Sequence, residues 1–193
     1  MPNDTRLSSL RADNAHNEVA RQDLDAAMRL LALVQPWGHP AEMTQALCQV
    51  GHCLARLAEF EAAKRSFVEA MHWSHLLGAV DTRVDLLCCL AEVNTSLARE
   101  ASLASNNNLA GHAWRERARD RAFEAAGLAG KVTDPQWGAR VLLRVSDVLD
   151  NCGDHADATA LQNRAVTLLG LVGERRSVQR PDFGVMTAPC QLM

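Results

Sequence analysis

Tyrosine is absent from this chain, and only four Trp and four Phe supply its aromatic residues. Apolar residues nonetheless make up 48% of the composition, carried mostly by Ala and Leu. That mixture suits closely packed helices and is poor material for a β-sandwich. No apolar run approaches the length of a bilayer; Leu86 to Ala91 is among the longest. Nor does the N-terminus, with Asn3, Asp4 and Arg6, hold the apolar core of a signal peptide. Neither sign of charge dominates: 20 Lys and Arg face 23 Asp and Glu, for a formal charge of -3. Binding to nucleic acid or to an anionic membrane therefore has no electrostatic support. There is no Cys-X-X-Cys and no glycine-rich phosphate loop, and the 11 glycines are scattered, mostly near helix ends. No Cys or Ser stands in a motif with a base and an orienting group. These absences imply a chain without catalysis and without a cofactor. A cytoplasmic location is expected, with the six cysteines as reduced thiols.

The residues present are arranged with helical periodicity. From about Glu18 to Val34, Val19, Leu24, Ala27, Met28, Leu31 and Val34 fall mostly on one face. Pro36 and Gly38 end that helix, and Pro40 suits the first turn of the next. Leu47, Val50 and Leu54 form its apolar face. A turn at Ala58 and Glu59 leads into a second helix with Ala63, Phe67, Ala70, Ser74 and Leu77 inward, closed by Gly78. Asp81 or Thr82 can cap the next helix, whose inner residues are Val84, Leu87, Leu90 and Ala91. The pattern fails after Ala98, and residues 101–111, with Asn106, Asn107 and Asn108, read as a loop or frayed helix. Helix resumes near His112, with Ala118, Ala122 and Ala125 inward, and breaks again at Gly130 and the Asp134-Pro135 pair. The last hairpin joins 136–151 to 154–170 across Gly153. A flexible or weakly helical segment is expected at 1–17, a helical domain at 18–172 and a disordered tail at 173–193.

A small residue recurs midway along the first helix of each hairpin. Gly51, Ala91 and Ser146 occupy that position, at steps of 40 and 55 residues. The longer step matches the Ser- and Asn-rich stretch, as a loop insertion would. Small residues where helices touch, with bulky residues a turn away, describe hairpins built to stack. Gly51, Ala63, Phe67 and Ala70 together resemble the tetratricopeptide repeat, and Ser146, Gly153, Ala158 and Ala165 resemble it a second time. This sequence departs from the family at Leu54, where a Tyr is usual, and at Gln162, where an aromatic residue is usual. Repeats of this length look like those in sensory portions of some bacterial diguanylate cyclases and transcription activators. The resemblance covers roughly residues 40–170. It implies an all-α fold: a right-handed stack of about three antiparallel helical hairpins, a TPR-like α-solenoid, with an extra N-terminal helix.

The resemblance also implies that the first helices line a concave groove. Its exposed positions fall three before the small residue, one after it, and four and five after it. In this chain they select Cys48, His52, Ala55 and Arg56, then Cys88, Glu92, Thr95 and Ser96, then Leu143, Asp147, Asp150 and Asn151. The expected partner-binding residues are therefore Cys48, His52, Arg56, Cys88, Glu92, Ser96, Asp147, Asp150 and Asn151. The Lys- and Asn-rich set that relatives use to clamp a terminal carboxylate is missing, so an extended or helical protein segment of mixed polarity fits better. The implied function is a non-catalytic protein–protein interaction scaffold, in bacterial regulation. One alternative is a sensory or regulatory fragment of a signalling protein, and another is self-association as a homodimer through the apolar end at Leu168 to Val172. A third is a metal site: Cys48, His52, Cys88 and Glu92 occupy matching layers of neighbouring helices, although zinc would need its ligand atoms about 2.0–2.3 Å from one centre. Cys53 and Cys89 are expected to point into the hairpins. The His72, Trp73 and His75 cluster reads as an outer helix face, and the alternating Arg115 to Arg121 run as a solvated surface.

Overall fold

Helix-breaking residues set the boundaries of the chain's elements, and apolar spacing sets their packing. The computed structural model describes residues 3–105, 109–131 and 134–178, with side chains described between 17 and 170. Seven helices occupy them: α1 (Asn3–Val34), α2 (Pro40–Arg56), α3 (Phe60–Leu77), α4 (Val80–Ser105), α5 (His112–Ala129), α6 (Pro135–Cys152) and α7 (His155–Val178). The fold is all-helical, without a strand among the described residues. None of these helices is long and apolar enough to cross a membrane.

Local chemistry explains the ends. Pro40 and Pro135 sit in the first turns of α2 and α6, where a missing N–H costs nothing. The Asp134 carboxylate caps α6 by accepting the Gln136 N–H at 2.9 Å. Gly78 and Gly153 close α3 and α6 in the left-handed conformation, at φ of 64° and 93°. The turn between α2 and α3 places Ala58 at φ 59°, an uncommon conformation for a residue with a Cβ.

Three boundaries bear on the expected ones. α1 begins at Asn3, within the segment expected to be flexible or weakly helical up to residue 17. Its polar residues give no apolar face, but no Pro or Gly interrupts the chain between Asn3 and Val34. α4 continues through Ser105, well past the failure of the apolar pattern at Ala98. The Ser105 hydroxyl donates back to the Ala101 carbonyl, and Gly111 lies against the backbone of Ala98. Only residues 106–108 of the expected loop lie outside the described residues. α7 extends to Val178, beyond the expected start of a tail at 173, and the remaining 179–193 lie outside the described residues.

Each helix packs on the next one along the chain, most extensively α2 on α3, α4 on α5 and α6 on α7. α4 also touches α6. Two apolar clusters result. The first gathers Leu47, Val50, Leu54, Ala63, Phe67 and Ala70 with Leu86, Leu90, Val93 and Leu97 of α4. The second gathers Val84, Leu87 and Ala91 of α4 with Ala118, Ala122, Ala125, Leu142, Val145, Leu149 and Ala165. α4 thus supplies opposite faces to both. The three small positions are all buried, with Ala91 and Ser146 at 0% exposure. At Gly51 the reason is direct, because a Cβ built there would lie 2.6 Å from the ring of Phe67.

Candidate binding groove

The first helix of each hairpin leaves one stripe outside the core. On α2 it carries Cys48 and His52, on α4 Asp85, Glu92 and Ser96, and on α6 Arg144, Asp147 and Asn151. Within each stripe the residues are three, four or seven apart, which keeps them on one side of the helix. Arg144 ties the stripe of α6 to that of α4 and borders a cavity with Cys48 and His52 of α2. Its guanidinium donates twice to the Glu92 carboxylate, at 2.9 and 3.1 Å, and lies 3.4 Å from Asp85. A third nitrogen contact reaches the Cys89 sulfur at 3.6 Å. Burial opposes the charge of Arg144, but the hydrogen bonds and charge of Glu92 outweigh it and hold the guanidinium protonated.

Arg144 also separates two cavities. The smaller, of about 380 Å³, is lined by Cys48, His52, Asp85 and Cys89 among others. Here His52 lies edge-on to Phe67, with ring centroids 5.2 Å apart, and its Nε2 is 3.9 Å from the Cys89 sulfur. Burial, then the charge of Arg144, pulls the His52 pKa below its ordinary value. Burial also pushes the thiols up: Cys48 and Cys88 to about 12, and Cys89 to about 11. Thiols so held stay protonated at neutral pH, which makes them weak nucleophiles and weak metal ligands. The larger cavity, of about 580 Å³, lies between the C-terminal halves of α4 and α6. Glu92, Ser96, Arg99, Leu103, Asp147 and Asn151 are among its walls, with Arg115 of α5 at one side.

The expected groove residues divide accordingly. Cys48 and His52 line the smaller cavity, and Glu92, Ser96, Asp147 and Asn151 line the larger. Arg56 lines neither; it pairs with Asp23 of α1 at 2.7 Å. Asp150 also lies outside both, with its carboxylate 2.6 Å from His155 Nδ1 across the α6–α7 turn. Cys88 corrects the expectation of an exposed position: it is 1% exposed, in the second apolar cluster. α4 lies between two hairpins, so the row containing Val84, Cys88 and Ala91 is covered by α5 and α6. Cys89, expected to point inward, is also buried but touches both His52 and Arg144. The spacing argument omitted Arg144, Asp85 and Arg99. The available signal for Arg144 was a lone cation in the apolar run Val141 to Leu149, three residues before Asp147.

The four residues considered as a metal set do not assemble, since Cys88 is in the core and Glu92 holds Arg144. Among the described residues no three His, Cys, Asp or Glu side chains gather in a way that could hold a metal ion. His72 and His75 are exposed, and Trp73 packs against the first cluster. The arginine run mostly serves local pairing. Arg117 stacks on Trp114 at 4.7 Å, Arg121 pairs with Glu124 at 3.1 Å, and Arg119 bridges Glu116 and Asp154.

No protein-family model and no curated protein matches this chain. Among solved structures it is similar to BtubC (BKLC) from P. vanneervenii, with 13% identity and a TM-score of 0.29, covering 93% of this chain and 96% of that one. Nothing about activity or partners transfers at that level of likeness.

Proposed function

We propose that this chain is a non-catalytic binding scaffold that holds a peptide or helical segment of another protein against α2, α4 and α6. In this reading the three hairpins form a right-handed, tetratricopeptide-like stack, and α1 covers its first end. The observation that carries the reading is the larger cavity, an open trough of mixed polarity between the first helices of successive hairpins. Support comes also from the buried small residues at Gly51, Ala91 and Ser146 and from the hairpin order of the packing. Protonated thiols in the smaller cavity favour recognition over nucleophilic chemistry there.

The test uses the full chain as bait in its native extract, beside a variant with Asp147→Ala and Asn151→Ala. Both side chains are exposed, so the variant should keep the wild-type helical signal and melting temperature. It should lose most of the captured partner. Capture at wild-type strength by the folded variant would overturn the proposal. Arg56→Ala serves as a control, because Arg56 is engaged with Asp23 and lies outside both cavities.

A further inference from the structure

Building on the groove reading above, the geometry points to a partner segment with one basic and one acidic side chain about a helical turn apart. The basic group sits over Asp147 and Asn151, and the acidic group over Arg99. The two-point bond between Arg144 and Glu92 ties α6 to α4 at one end of the trough. α4 and α6 run in the same direction, each being followed by a reversed helix. Further along, Thr95 and Arg99 of α4 and Asp147 and Asn151 of α6 line the same trough.

The two hydroxyls flanking this stretch have used their protons. The Thr95 hydroxyl donates to the Ala91 carbonyl at 3.0 Å, and the Ser96 hydroxyl to that of Glu92 at 3.2 Å. Asn151 donates its amide N–H to the Asp147 carbonyl at 2.7 Å. A visitor meets mainly acceptors here, two hydroxyl oxygens, an amide oxygen and the Asp147 carboxylate, beside the second Asn151 N–H and the Ser102 hydroxyl, which has no partner among the described residues. A lysine ammonium or arginine guanidinium has only donors to offer and complements that set.

Charge bookkeeping leads to the same pair. Arg144 is engaged by Glu92 and, less closely, by Asp85, and this cluster closes the trough at that end. Asp147 and Arg99 both line the cavity, and neither makes an ion pair among the described residues. The trough therefore offers Asp147 on α6 and Arg99 on α4 as charges of opposite sign without an ion-pair partner among the described residues. A helix carrying opposite charges three or four positions apart presents the matching pair on one face. Between them Ala98 and Val148 give an apolar strip, and the 76%-exposed Leu103 extends it, enough to cover one aliphatic side chain.

A phage-displayed library of random peptides, panned on the immobilised full chain, tests this. Enriched sequences should carry Lys or Arg and Asp or Glu three or four positions apart, beside an aliphatic residue. For the best synthetic peptide, Asp147→Asn and Arg99→Gln should each weaken binding about tenfold, as the loss of a charged hydrogen bond does. Replacing the peptide's basic residue by Gln should abolish the effect of Asp147→Asn and leave that of Arg99→Gln. Enriched peptides without the charge pair, yet blocked by Ser96→Trp, would overturn this inference and leave the groove reading standing. No enrichment, or binding indifferent to Ser96→Trp, would overturn both. Melting curves of every variant, matched to wild type, exclude misfolding as the cause.

Discussion

Gly51 and Phe67 show how much a single missing methyl decides. The Phe67 ring is 1% exposed and stands where a side chain at position 51 would begin. Gly51→Ala should therefore cost about 1–3 kcal/mol, the usual range for overpacking a core. Gly127 lies in the exposed interior of α5 with nothing within 4 Å of a Cβ, so Gly127→Ala should gain up to about 1 kcal/mol. Urea titration of both variants checks the contrast, and equal shifts would refute it. His52 gives a prediction in pH. Its folded pKa lies below the ordinary 6.5, so the unfolded chain binds the proton first. The stability it contributes is present above about pH 6.5 and is lost as pH falls through the folded pKa. Melting temperatures followed from about pH 8 to about pH 5 should fall more steeply for wild type than for His52→Asn. Parallel curves would remove His52 from the account.

At the scale of elements, the crossing of α4 and α5 depends on Gly111. A Cβ there would lie 2.3 Å from the Ala98 carbonyl oxygen, an atom of backbone that cannot turn aside. Gly111→Ala should cost at least about 3 kcal/mol, the upper end of overpacking, and should speed hydrogen exchange along 98–105. Exchange unchanged there would contradict the role given to Gly111. The helices and their inner faces were legible in the sequence because burial repeats with the helix period: Leu47, Val50 and Leu54, or Leu142, Val145 and Leu149. The ends of α1 and α4 were not, because the first turns of α1 are polar and uninterrupted by Pro or Gly, and the last turns of α4 rest on Ala propensity and one close backbone contact, none of which leaves an apolar stripe. At the groove, spacing selected Glu92, Ser96, Asp147 and Asn151, and these four line one cavity. It missed Arg144, whose partner Glu92 lies 52 residues away. It misjudged Cys88 because exposure at that position depends on the angle between hairpins, and a repeat register does not encode that angle.

Across the whole molecule, α4 is the member common to both apolar clusters. Leu86 and Leu87 are each 1% exposed but face different clusters. Leu86→Ala and Leu87→Ala should each cost about 2–5 kcal/mol. Each should also shift one shared unfolding transition, with far-ultraviolet circular dichroism and tryptophan fluorescence coinciding. Separate transitions for the two probes would mean that the clusters melt independently. The shared helix has a mechanical consequence as well. Glu92 and Ser96 of α4 border the larger cavity, and Asp85 and Cys89 border the smaller, so both spaces have a wall on one rod. Any shift of that rod therefore reshapes both spaces together.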